Sequence, residues 1–219
     1  MKITNHRLQG VKYLTTPNSS GNIKQLKYII CHDDEGASMA GTESWIQNKD
    51  SQVSYHVLVG KKGEVTQFVD FNKRAYHAGK SSWKGLSDLN WYSVGVAMQN
   101  RNKEPYTPIQ IDKYIEVCKA IKEYYGIDDV LGHKEVSPGR KTDPHNGFPM
   151  DILKTELFGK NVAKKTISNL NLRKGAGTTF AIVTTIPYNS QVEVLQSVGN
   201  WSEVRFNSLQ GWVNNHYLN

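Results

Sequence analysis

Two stretches of this chain hold the residue types that metal-assisted hydrolysis needs. Cys31-His32-Asp33 follows the apolar run Tyr28-Ile29-Ile30, and Gly132-His133 opens a segment that runs to Arg140-Lys141-Thr142-Asp143-Pro144. Together they supply two imidazoles, a carboxylate and an ammonium. Neutral imidazole is a good zinc ligand, and a carboxylate adds the negative charge that holds the ion. Three protein ligands leave the fourth position for water, the pattern of a catalytic rather than a structural zinc. Zinc brings the pKa of such a water from about 16 to about 7. Lys141 lies two residues before Asp143, so in an extended segment both side chains point the same way. Its ammonium could then stabilise the oxyanion formed when hydroxide attacks an amide carbonyl. Convergence of His32, His133 and Asp143 on one ion therefore predicts an amide-bond hydrolase. Taken singly, each has a plainer reading. A histidine beside a strand is commonly a packed structural residue, and Asp-Pro is an ordinary turn starter.

These residues must be brought together by elements far apart in the chain. Residues 27–31 read as a buried strand ending at His32, and 129–131 as a strand leading into His133. Carboxyl ends of strands are where ligands collect on an open sheet. Residues 42–48 read as a short helix, 53–59 and 64–69 as a hairpin about Gly60-Lys61-Lys62-Gly63, and 92–98 as another apolar strand. The best helix covers 109–125. Thr107 is placed to cap it, Pro108 suits its first position, and Gln110 completes a capping box. Ile111, Tyr114, Ile115, Cys118, Ile121 and Tyr125 fall on one face, and Gly126 stops it. The class is α/β, a mixed central sheet flanked by helices. From about Thr166 the pattern changes to short alternating runs (181–186, 191–196, 201–206, 211–213) separated by turn residues, which predicts a small all-β, SH3-like barrel. The expected division is one domain over 1–158, a linker over 158–165, and a second domain over 166–219.

A chain of 219 residues accommodates one ordinary domain plus a small one. The net charge of +7 is compatible with a polyanionic partner. The charges are dispersed, however, with no long Lys/Arg run and no aromatic-basic interleaving. Nucleic acid is not expected, and an anionic wall or membrane surface fits at least as well. Cys31 and Cys118 imply no disulfide framework and no structural zinc spacing, so burial is expected of both. Residues 1–7 lack the long apolar core of a signal peptide. No apolar stretch reaches the roughly 18 residues needed to span a membrane. Synthesis in the cytoplasm without membrane insertion is expected, with any export dependent on other factors.

Further motifs occur in order along the N-terminal part: Ser54-Tyr55-His56-Val57-Leu58-Val59 with Gly63-Glu64-Val65-Thr66-Gln67, then Ala75-Tyr76-His77-Ala78-Gly79-Lys80-Ser81, then Asn90 with Ser93-Val94-Gly95-Val96, and finally Phe148-Pro149-Met150 after the second metal segment. With that order the chain resembles the zinc-dependent N-acetylmuramoyl-L-alanine amidase family, which includes phage lysozyme-type amidases, recycling amidases and peptidoglycan recognition proteins. The resemblance implies zinc as cofactor, His32, His133 and Asp143 as its ligands, and Lys141 as oxyanion stabiliser. It implies peptidoglycan as substrate, cut between the lactyl group of muramic acid and L-alanine. His77 and Asn90 are expected to bind substrate, with a packing role as the alternative for His77; His56 is expected to be structural.

One position departs from the family pattern. Many relatives carry a glutamate, thought to act as general acid/base, where this chain has Ala97. A general base contributes about 100- to 10,000-fold, so one reading is a catalytically impaired peptidoglycan-binding protein. Phage lysozyme-type relatives instead have a tyrosine before the histidine of the 53–59 segment, and Tyr55 stands there. A phenol can donate a hydrogen bond to water or to the developing oxyanion, so Tyr55 with Lys141 is expected to take the role; aromatic packing is its alternative. The tail resembles a bacterial SH3-like cell-wall-binding domain. Trp201, Trp212, Tyr188 and Tyr217 are candidates for stacking on sugars or stem peptides, with core filling as the alternative for the tryptophans. The layout without a signal peptide fits a phage endolysin that acts at the bacterial wall or periplasm, with an exported amidase as runner-up.

Overall fold

The computed structural model describes residues 1–159 and 162–219. It divides into two compact units, Met1–Met150 and Asp151–Asn219. The first is built on a six-stranded sheet: β1 (Lys12–Tyr13), β2 (Tyr28–Asp33), β3 (Val57–Val59), β4 (Val65–Gln67), β5 (Ser93–Met98) and β6 (Asp129–Gly132). Their order across the sheet is β6-β2-β5-β3-β4-β1. The first four run parallel, β3 and β4 form an antiparallel pair, and β1 lies parallel to β4. Every residue of β2 and β5 is buried. A strand covered on both faces reads as a continuous apolar run, which is why these two were visible in the sequence.

Register does the work of assembly. Gly132 at the end of β6 stands beside Cys31 of β2, so His133, one step further on, emerges next to His32. On the other side His32 stands beside Ala97 of β5. The mixed sheet flanked by helices is the expected fold class.

The helices are α1 (Met39–Gln47), α2 (Pro108–Tyr125), a single turn α3 (His133–Val136) and α4 (Met150–Phe158). Ser38 caps α1 by accepting from Gly41 N–H. Thr107 Oγ1 accepts from Gln110 N–H at 3.2 Å, as expected of a cap. The reciprocal half of the capping box is absent: the Gln110 side chain is buried and donates to the carbonyls of Val59 and Gln99. It satisfies strand ends instead of the helix start. The buried stripe of α2 also runs through Val117 and Ala120, with Ile111 and Ile115 only half-buried. Gly126 closes α2 at φ 68°, a left-handed conformation that glycine adopts without strain. Helix α4 was not anticipated, although Leu153 and Leu157 are spaced one turn apart and both are buried.

The second unit contains a six-stranded antiparallel sheet: β7 (Val162–Lys165), β8 (Leu170–Arg173), β9 (Ile182–Ile186), β10 (Gln191–Val198), β11 (Trp201–Phe206) and β12 (Leu209–Asn214), in the order β7-β10-β11-β12-β8-β9. The all-β tail is as expected, but among the described residues the sheet does not close into a barrel; β7 and β9 are its edges. The expected linker over 158–165 is also different. Phe158 ends α4, residues 160 and 161 lie outside the described residues, and Val162–Lys165 pairs with β10. The core here is aliphatic: Leu170, Leu172, Ile186, Val192, Val194, Val204, Val213 and Leu218. Strand alternation puts Trp201 and Trp212 on the face away from buried Val204 and Val213, so neither tryptophan fills the core. Tyr188 and Tyr217 are exposed.

Candidate metal centre

His32 comes from the end of β2, His133 from the residue after β6, and Asp143 from the segment that follows α3. Both histidines are almost fully buried and the Asp143 side chain is about 13% exposed. His32 Nδ1 lies 3.0 Å from Asp143 Oδ2, and His133 Nδ1 lies 3.1 Å from Oδ1 and 3.2 Å from Oδ2. One donor atom from each residue falls within 4.8 Å of the other two.

The far sides of the rings bear on what those Nδ1 atoms carry. His133 Nε2 is 3.0 Å from the carbonyl oxygen of Ala78, which can only accept, and 3.3 Å from Arg140 Nη2; with the proton on Nε2 toward Ala78, Nδ1 is free to face a cation. Ser93 Oγ donates to Leu89 O at 2.6 Å, so it accepts from His77 Nε2 at 3.5 Å. His77 Nδ1 lies 3.1 Å from His32 Nε2 and can accept from it, an arrangement that likewise frees His32 Nδ1 to face a cation. Burial lowers the pKa of His32 to about 4 despite its contact with Asp143, which keeps the ring neutral at pH 7. Burial opposes ionisation of Asp143, but hydrogen bonds from the His133 and His32 Nδ1 atoms, which can donate to it when no cation lies between them, outweigh burial and hold the carboxyl well below its usual range. Two imidazole nitrogens and one carboxylate thus face one point. A cation would satisfy all three groups at once, and N, N, O donor chemistry with one negative charge suits zinc.

The loop at residues 77–80 serves both histidines. Asn90 Oδ1 accepts from the N–H groups of His77 and Ala78 at 3.1 and 2.7 Å, fixing the loop. Arg140 Nη2 donates to Ala78 O at 2.5 Å and to Ser137 Oγ at 2.7 Å, pinning the loop from the other side. His77 sits against Gly95, where any Cβ would lie 2.4 Å from His77 Cγ. His77 and Asn90, expected to bind substrate, do border the cleft. Both His77 ring nitrogens and Asn90 Oδ1 also contact His32, Ser93 and the loop. His56 is fully buried, placed to donate from Nε2 to Lys73 O at 2.8 Å while Nδ1 accepts from Gly95 N–H at 3.0 Å. Arg140 and the Ala78 carbonyl escaped the sequence reading. Arg140 stands beside Lys141 in the same motif and so had a signal; a main-chain carbonyl has none.

A cleft of about 730 Å³ opens over the trio and is lined by Tyr55, Tyr76, Trp45, Thr42 and Lys141 among others. The Tyr55 ring lies 5.1 Å from that of His32, and its hydroxyl makes no hydrogen bond among the described residues. Burial, then the charges of Asp143, Asp34 and their neighbours, push the Tyr55 phenol up, so it stays protonated. Lys141 is exposed on the cleft rim, and its charge reaches His32. Ala97 is fully buried in an apolar cluster with Ile46, Leu58 and Phe68. Among the described residues no helix is long and apolar enough to cross a membrane.

Comparison with known proteins gives the chemistry a context. Residues 22–146 match the N-acetylmuramoyl-L-alanine amidase family profile, and residues 168–219 match a bacterial SH3 domain profile. The chain is similar to the 1,6-anhydro-N-acetylmuramyl-L-alanine amidase AmpD of Haemophilus influenzae, 38% identical over 100 residues that cover 44% of this chain and 54% of that protein. It is also similar to the N-acetylmuramoyl-L-alanine amidase AmiD of Escherichia coli, 30% identical over 172 residues covering 69% of this chain and 60% of that protein. The chain thus spans little more than half the length of these relatives. Among solved structures, a selenomethionine derivative of AmpD superposes with a TM-score of 0.64 at 23% identity, covering 72% of this chain and 99% of that one. AmiD from E. coli in complex with anhydro-N-acetylmuramic acid-L-Ala-D-gamma-Glu-L-Lys superposes with a TM-score of 0.55 at 28% identity, covering 68% and 60%.

Proposed function

The chain belongs to the N-acetylmuramoyl-L-alanine amidase family, and from that premise we propose that it hydrolyses the amide joining N-acetylmuramic acid to L-alanine in peptidoglycan. The observation that carries this reading is the convergence of one donor atom each from His32, His133 and Asp143, within 4.8 Å of one another, beneath an open cleft. His32, His133 and Asp143 hold zinc, which when bound supplies Lewis-acid activation of water and of the scissile carbonyl.

The chain's own groups do the rest. His77 and the Ala78 carbonyl keep both Nε2 protons turned away from the cleft, so the rings present lone pairs only. Asp143 contributes the single negative charge of the donor set. Lys141, held at the rim two residues from Asp143, neutralises charge as it builds on the carbonyl oxygen. The protonated Tyr55 phenol donates a hydrogen bond into the same region. No proton can pass through Ala97, whose place is taken by apolar packing.

The sheet of the second unit, residues 166–219 together with β7, serves as a wall-binding domain. Trp201 and Trp212 on its outer sheet face, with exposed Tyr188 and Tyr217, are its candidates for stacking. Tethering raises the local concentration of the catalytic unit at its substrate. Such a layout suits lysis of intact wall, an endolysin-type role, better than recycling of soluble fragments.

Incubation of the zinc-loaded protein with intact peptidoglycan should release new L-alanine amino termini, and a chelator should stop the release. Zinc-loaded protein that releases none refutes the proposal. Ala97→Glu, assayed alongside, is expected to lower stability by about 1–3 kcal/mol through overpacking, because it drives a carboxylate into the Ile46–Leu58–Phe68 cluster. It should bring no gain in kcat. A large gain would revive the reading of an impaired binding protein.

A further inference from the structure

Asp33 follows His32 in β2 and points to the other face of the strand. Only 4% of it is exposed, and it takes no part in the trio. Three donors from two other segments nevertheless meet its carboxylate. Oδ2 accepts from the main-chain N–H of His145 at 2.9 Å and lies 3.1 Å from His145 Nδ1. Oδ1 accepts from the Tyr106 hydroxyl. Tyr106 Oη lies 2.8 Å from His145 Nδ1, so one imidazole N–H is shared between phenol and carboxylate.

We infer that Asp33, Tyr106 and His145 are positioning residues that hold Asp143 in register with His32 and thereby set the protein's affinity for zinc. The inference rests on the metal reading above. Its geometric basis is that the brace joins the two ligand-bearing segments directly. Asp33 is one residue from His32, and His145 is two residues from Asp143. The main-chain carbonyl of Asp143 itself accepts from Lys134 N–H at 2.7 Å. The segment that carries the acidic ligand is therefore held at the ligand's own carbonyl and again two residues further on.

Aromatic contacts stiffen the clamp. The Tyr106 ring stacks on His145 with centroids 4.8 Å apart and 25° between planes, and meets Phe148 edge-on at 5.6 Å. Phe148 in turn meets Tyr114 of α2 edge-on at 5.4 Å. A buried acid in a chain position that packing alone would fill with an apolar residue needs its partners. Here all of them bear on the placement of Asp143. Ligand sites tolerate only about 0.5 Å of misplacement, so the loss of the brace should be read in metal affinity before it is read in folding.

Zinc affinity measured by chelator competition tests this, with thermal melts of the metal-free protein run in parallel. Asp33→Asn and His145→Ala should each weaken zinc binding by about 10- to 100-fold while the metal-free melting temperature moves little. Tyr106→Phe keeps both ring contacts and loses one hydroxyl, and should weaken binding by about fivefold. Wild-type zinc affinity in all three variants, with or without a drop in melting temperature, leaves the brace a folding element only and overturns the inference while the metal reading stands. Wild-type protein that binds no zinc overturns both. Should Asp33→Asn fail to fold, His145→Ala and Tyr106→Phe decide the outcome alone.

Discussion

Asp143→Ala should leave the protein unable to retain zinc and lower peptidoglycan hydrolysis by about a thousandfold or more, since Lewis-acid activation supplies several kcal/mol of barrier reduction. The reason lies in the donor set. As ligands His32 and His133 would be neutral, and the carboxylate would be the one charge offsetting a dication held by two buried imidazoles. Removing it leaves two imidazoles with bare Nδ1 atoms and nothing to hold between them. Asp143→Asn is the informative companion, because it preserves shape and removes only charge. Metal content by mass spectrometry and the appearance of L-alanine amino termini give the two readouts. Full zinc occupancy in Asp143→Ala would place the metal elsewhere and remove the mechanism.

Lys141→Ala should behave in the opposite way: zinc retained, kcat down by about 100- to 1,000-fold, the range seen when one oxyanion donor is removed. The Lys141 charge already disfavours a second cation near His32, so its loss does not weaken metal binding. The KM for a muropeptide should change little, because the ammonium acts on charge that appears only as the carbonyl is attacked. Lys141→Arg should recover part of the rate at most, since a planar guanidinium cannot take the place of a compact ammonium point for point. Equal losses of zinc and of rate in Lys141→Ala would mean that the residue supports the metal segment and does not meet substrate.

Much of the site was legible before any coordinates. The two apolar strands, the capped helix at Pro108–Tyr125 and the alternating strands of the tail each carry their own local signal in hydrophobic period and turn residues. The candidate ligands were legible for a different reason: taken singly each had a plainer reading, and it was the order of the motifs and the family resemblance they carry that singled them out. Where the reading went astray, the deciding partner was remote in sequence. Gln110 looked like a capping residue and instead bridges two strand carbonyls, one of them 51 residues away. His77 and Asn90, expected at the substrate, do line the cleft, and each also makes a contact no spacing foretold, His77 Nδ1 with His32 Nε2 and Asn90 Oδ1 with the Ala78 N–H.

What the sequence by itself determined is therefore the chemistry on offer: which side chains can bind a cation, which can donate a proton, and which segments must be buried. Tertiary structure alone decided who orients whom. His32 and Asp143 are 111 residues apart and meet at 3.0 Å, and the far ring nitrogens of His133 and His32 meet the Ala78 carbonyl and His77, which lie elsewhere in the fold. A hydrogen bond depends on tenths of an ångström and on direction, and neither is written in the spacing of residues along a chain; both come only from the register of parallel strands that brings His32 and His133 side by side.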